Sequence, residues 1–287
     1  MKKILFAIFI SSFFFSCSQH PALAIFRWKF QLEESNYVIP YTINLIALSE
    51  MQEAVNLRPI KNYLNWVFRN LNYPDKHGLT GSIYDFDISI LGVETPSDTY
   101  DSVDSYSATF LMMLQKYFFL SQDRALIQQN KQKIHDIAYT IIYLQGEDGL
   151  TTALPVSDVK YLMDNCEVFG GLKAFIELSE EFGWNLEDYY FGAKDSVERG
   201  IMQKLYNAEL QNFNWAVDDE NIHTSDWHIF YPDAFAQLFP IIYGLLDDDA
   251  ELRHHLWDKF NEIYKNQINI PAEQKIVIDF AEKRMDI

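Results

Sequence analysis

Two kinds of helix alternate along this chain, and no other feature constrains the fold as strongly. Stretches 105–120, 165–178 and 232–246 are apolar nearly all round, whereas 124–144, 188–206 and 251–267 carry one apolar stripe and a charged face. A helix apolar on every side is a buried one, and a striped helix sits at the periphery. Strict alternation predicts an inner layer and an outer layer of helices, joined hairpin by hairpin. Helical periodicity also marks 41–57, 60–71 and 271–285, so about nine helices can be placed. No Pro/Gly/Ser-rich linker interrupts them, and residues 25–287 read as one all-α domain, a toroid of helical hairpins with short extended pieces near 79–90, 150–156 and 213–217.

The apolar helices share an entry. A loop rich in Gly, Asp, Thr and aromatics delivers an acid to each: at 100–108, at 161–172 and at 226–234. Asp104, Asp164 and Asp233 fall roughly 60–70 residues apart, enough for a hairpin and an elaborated loop. If the helices form a ring, their N-terminal ends open onto one mouth and the three acids share it. A plainer role competes: Asp is a favoured N-cap, and Asp164-x-x-Glu167 also reads as a capping box. Gly170-Gly171 inside an apolar helix costs about 0.5–1 kcal/mol per glycine, which close helix–helix approach would offset.

This pattern resembles the six-hairpin glycosidase superfamily, the (α/α)6 toroids. Asp101–Leu111 looks like the Asp-rich start of an inner helix in that superfamily. It is partly similar to a family-8 endoglucanase signature, although Asp101 and Asp104 stand one residue further apart than that signature asks. The resemblance covers roughly residues 40–287 and leaves open whether the ring is complete. It implies a glycoside hydrolase acting on an oligo- or polysaccharide through two carboxylates, one protonating the leaving oxygen and the other activating water or attacking directly. The catalytic candidates are Asp104, Asp164, Glu167 and Asp233. Asp87, Tyr100, Asp101, Tyr161, Trp215, Trp227, His228 and Tyr231 fall in the loop segments and suit substrate binding, because sugar rings stack on aromatic faces and polar groups meet their hydroxyls. Two other functions fit the same pattern: a saccharide-binding toroid without turnover, and a polysaccharide lyase. The acidic loops disfavour the lyase.

The formal charge of −18 argues against nucleic acid and anionic lipid as partners. Residues 1–24 read as an export signal: Lys2 and Lys3, a short apolar run from Ile4 to Phe15, then Ala22 and Ala24 at a cleavage site. The mature chain would begin at Ile25 and be periplasmic or secreted, monomeric, and not stably inserted in a membrane. The alternative is a lipoprotein anchored through Cys17. Cys166 is then the one remaining cysteine, expected as a buried thiol. No metal or other cofactor is expected, because His-x-x-x-His, Cys-x-x-Cys, phosphate-loop and dinucleotide patterns are all missing from the sequence.

Overall fold

The computed structural model describes residues 37–52, 56–89, 93–267 and 270–285. The export signal, Cys17 and Ile25 lie outside them. The helices are α1 (Pro40–Glu50), α2 (Arg58–Asn70), α3 (Val103–Ser121), α4 (Arg124–Gln129), α5 (Lys131–Leu144), α6 (Leu162–Glu181), α7 (Asp188–Gly200), α8 (Phe239–Ile242), α9 (Ala250–Tyr264) and α10 (Ala272–Met285). Wider turns extend α7 over Ile201–Leu205 and precede α8 at Phe230–Ala234.

Packing sorts the helices as the alternation predicts. Among the described residues, α1 packs on α3, α3 on α6, α6 on α8, α8 on α10, and α10 back on α1. The inner circuit therefore closes, on five members. Helices α5 and α7 lie outside α3 and α6. Helix α3 is buried from Val103 through Leu111, and the thiol of Cys166 on α6 is buried too. The Gly pair acts as expected: a Cβ on Gly171 would stand 2.5 Å from Ala108 Cα, and one on Gly170 would stand 2.9 Å from Met112 Sδ. Only glycine lets α6 lie this close to α3.

The strands are short and sit in the loops. Strands β1 (Tyr37–Val38), β2 (Phe86–Ile88) and β3 (Glu94–Pro96) form one antiparallel sheet. Strand β4 (Lys160–Tyr161) pairs with β7 (Ala216–Val217), which pairs with β8 (Ile222–His223). A hairpin joins β5 (Tyr206–Asn207) to β6 (Asn212–Phe213).

Two helix expectations need correction. The stretch 124–144 is two helices, because the chain breaks at Asn130 between α4 and α5. The long helix expected over 232–246 is irregular, and only Phe239–Ile242 is regular within it. Pro240 has no N–H to give to the preceding turn. The neighbouring amides tighten instead: Gln237 bonds to the Ala234 carbonyl, Leu238 to Phe235 and Ile241 to Leu238.

Candidate active site

Every inner helix sends its N-terminal end to one cavity of about 250 Å³. Its walls are Tyr41 and Leu45 of α1, Asp101, Ser102, Ser105 and Tyr106 at the start of α3, and Met163 and Asp164 of α6. Tyr231, Phe235 and Phe239 form a further wall, and Glu273, Gln274 and Val277 of α10 close the circle. The shared mouth inferred from the loop pattern is present, but of the three acids expected on it, Asp104, Asp164 and Asp233, only Asp164 lines it.

Three acids gather at its base, and none is a helix cap. Tyr161 is still paired in β4, opposite Ala216, so α6 starts immediately after it and Asp164 falls inside the first turn. The N-cap of α3 is Ser102, with Asp104 likewise inside the first turn. The capping-box geometry is therefore not formed at Asp164 and Glu167. Asp104 is fully buried and Glu167 is 1% exposed, while Asp164 lines the cavity.

Ser102 joins two of them. Its Oγ lies 2.6 Å from Asp104 Oδ1 and 2.9 Å from Asp164 Oδ2. A hydroxyl carries one proton. Both contacts are hydrogen bonds only if one of the carboxyls supplies another proton. Thr151 Oγ1 donates to Asp104 Oδ2 at 2.6 Å, and the Ser105 amide donates to Asp104 Oδ1 at 2.9 Å. Glu167 Oε1 accepts from the Tyr41 phenol at 2.7 Å and the Tyr243 phenol at 3.2 Å, while its buried Oε2 has no partner.

The electrostatics follow from burial. Desolvation raises all three carboxyls above the usual range, and it is the largest cause for each. Glu167 is pushed up to about 8. Asp164 is raised strongly, by burial and then by the negative neighbours Asp104 and Glu167. Asp164 is thus a carboxyl on the wall of a cavity whose protonated form is favoured by burial and by two negative neighbours.

No family model matches the chain, and no curated protein matches it. Solved structures do. A rhamnosidase from Klebsiella oxytoca, solved with rhamnose bound, superposes with a TM-score of 0.62 at 12% identity, over 88% of this chain and 47% of that one. A cellobiose 2-epimerase from Bacillus thermoamylovorans superposes with a TM-score of 0.53 at 9% identity, over 87% of this chain and 73% of that one. The fold is that of the six-hairpin toroids. This chain spans about half the length of the rhamnosidase.

Within the toroid, the remaining candidate residues divide. Asp101 is exposed on the cavity rim, and Tyr231 stands at the mouth, 56% exposed, within electrostatic reach of both Asp164 and Asp101. Tyr161 and Trp215 stack beside the mouth, with ring centroids 6.2 Å apart and planes at 15°. Asp233 does not line the cavity; its Oδ1 accepts the Asp226 amide at 2.8 Å. Tyr100 is buried and donates to Asp75 Oδ2 at 2.8 Å. Asp87 is exposed on β2, opposite Tyr37 and Thr95. The Trp227 carbonyl accepts the Tyr264 phenol at 2.7 Å, and His228 is exposed nearby.

Several participants carry no local pattern in the sequence. Ser102, Tyr41 and Tyr243 touch the acids directly. Buried Asp85 accepts the Tyr106 phenol at 2.9 Å, and burial pushes its carboxyl up to about 6. The one available signal was Ser102 itself, a hydroxyl between two acids in sequence. Among the described residues no cluster of three His, Cys, Asp or Glu side chains is arranged to hold a metal ion.

Proposed function

We propose that this toroid is an exported glycoside hydrolase that takes the end of an oligo- or polysaccharide into the cavity between α1, α3, α6 and α10. The observation that carries the reading is Asp164. Glycoside cleavage needs a carboxylic acid still protonated at working pH, placed where a glycosidic oxygen can reach it. Asp164 lines the cavity, and burial and its negative neighbours favour its protonated form; its proton is replenished through Ser102, which borders Asp104 as well. Asp101, exposed on the same rim, is the partner carboxylate that activates water or steadies positive charge on the sugar. Glu167 and Asp104 then serve as buried neighbours that hold the Asp164 proton, since neither reaches the cavity. Tyr41, Glu167 and Tyr243 block the floor, which favours a chain end over a chain threaded through. Tyr231 and the stacked Tyr161–Trp215 pair offer flat faces to the sugar rings.

A glycan-panel incubation with product analysis tests this directly. Release of a sugar by the native chain, lost in Asp164→Asn and in Asp101→Asn, is the expected result. Binding without release by the native chain would favour the saccharide-binding reading, which gains from the fact that only one of the four candidate acids reaches the cavity. Export is tested by mass: a mature chain starting at Ile25 is expected, and a lipid on Cys17 would replace that assignment.

A further inference from the structure

A second cleft lies on the outside of the ring, between α5 and the segment that leads into α7. It encloses about 330 Å³, and its walls include Gln132, His135, Tyr139, Asn185, Glu187 and Tyr189. We propose that it is a second saccharide-binding site, one that holds a neutral glycan and does not cut it.

Its aromatic side chains are presented to solvent. Tyr139 is 51% exposed and Tyr189 is 44% exposed, and their rings meet edge to face at 6.4 Å and 78°. Two perpendicular faces let a sugar ring stack on one phenol and meet the other with its edge. Tyr143, one turn along α5 from Tyr139, is 59% exposed and lengthens the platform.

The polar groups around the rings both donate and accept, as a polyol requires. Gln132 and Asn185 bring amides, and Asp136 and Glu187 bring carboxylates. Asp136 is already fixed: Gln132 Nε2 donates to its Oδ1 at 2.9 Å, and the Tyr73 phenol bonds to it as well. His135 adds an unspent group. Its Nε2 is buried without a hydrogen-bond partner, while the ring packs against Phe175 at 5.2 Å and Trp184 at 5.1 Å. A buried polar atom left unpaired is costly, and a ligand hydroxyl would relieve it.

The same inventory excludes other ligands. An anion would meet Asp136 and Glu187, and the lysine that lines the cleft, Lys131, has its ammonium over the Trp184 ring at 5.3 Å. A hydrophobic peptide would ask for a floor depleted of charge, and this one carries Lys131, Asp136 and Glu187 beside its phenols and amides. A neutral sugar satisfies both the apolar faces and the polar edges. The cleft stands toward the C-terminal half of α6, where His135 packs on Phe175, roughly 17 Å along that helix from Asp164. Occupancy there leaves the cavity free.

The ligand class rests on the carbohydrate reading given above, and the test separates the two claims. The full chain is run by affinity electrophoresis in gels containing β-glucan, xylan, galactomannan or dextran. At least one of these should retard the native chain and Asp164→Asn equally. The Tyr139→Ala/Tyr189→Ala double variant should lose that retardation, with apparent Kd raised ~10-fold or more, and should keep its turnover of a short oligosaccharide. Both phenols are exposed, so its melting temperature should match the native value; Gln132→Ala/Asn185→Ala repeats the test without touching a ring. Trp184 emission should shift on titration with the same glycan. Undiminished retardation of the double variants, or no retardation of the native chain in any gel, would overturn the second site. Retardation through the tyrosines with no cleavage of any glycan would instead remove the hydrolase reading and leave the second site standing.

Discussion

The starts of α3 and α6 and the stretch around Asp233 are written in one sequence pattern, yet they put their acids to different use. Asp104 and Asp164 face each other across Ser102 in a site that burial makes hostile to charge. Asp233 turns the other way and clasps the Asp226 amide. The difference lies in what surrounds each carboxyl. Around Asp104 and Asp164 stand hydroxyls, a third acid and apolar helix; Asp233 meets a backbone donor in its own loop. An acid at a helix start is therefore not informative until its neighbours across the ring are known.

Four measurements put that contrast to the test. The largest effect concerns Glu167. Its carboxyl titrates at about 8 in the folded chain against an ordinary 4.5. The folded state binds the extra proton between those values, so stability is greatest below pH 4.5 and falls as pH rises through about 8. The fall amounts to at most about 5 kcal/mol. Chemical denaturation across pH 4–9 should show it, and Glu167→Gln should flatten the curve. An equally steep curve in that variant would mean the cluster is not held neutral.

Next comes turnover. Asp164→Asn keeps the shape and removes the proton to be donated, so activity should fall ~100-fold or more with little change in melting temperature. Asp233→Asn in the same assay should stay near the native rate. Equal losses in both variants would erase the distinction between the two regions.

Third is the contact that brings the two acid-bearing helices together. Gly171→Ala sets a methyl group against Ala108, and overpacking should cost about 1–3 kcal/mol by denaturant titration. Turnover should fall with it, since α3 carries Asp104 and α6 carries Asp164. The smallest effect belongs to Asp233→Ala. Loss of the clasp should cost roughly 1 kcal/mol of stability, read as a modest drop in melting temperature.

Much of the fold was legible, because burial of a whole helix leaves a plain mark on sequence. The periodicity of 105–120 and 165–178 placed α3 and α6 within a few residues, and Gly170-Gly171 announced their close approach. The irregular stretch before Tyr243 was misread despite Pro240, which is where the amide ladder fails. The capping box was misread for a longer-range reason: Tyr161 is held by Ala216, so α6 begins before Asp164. Partnership across the ring was not legible. Tyr41 and Tyr243 reach Glu167 from 126 and 76 residues away, and no local spacing encodes that.

One feature of the ring bears on how the protein is made. The cavity wall opposite Asp164 belongs to α10, which packs on both α1 and α8. A ribosome delivers Asp104, Ser102, Asp164 and Glu167 long before it delivers Glu273 and Val277. Until then water reaches the acids from the open side, and their carboxyls behave as ordinary surface groups do. The chemistry of the site thus switches on only once α10 is in place and shuts the water out, and a nascent chain still short of α10 carries the acids without the reactivity.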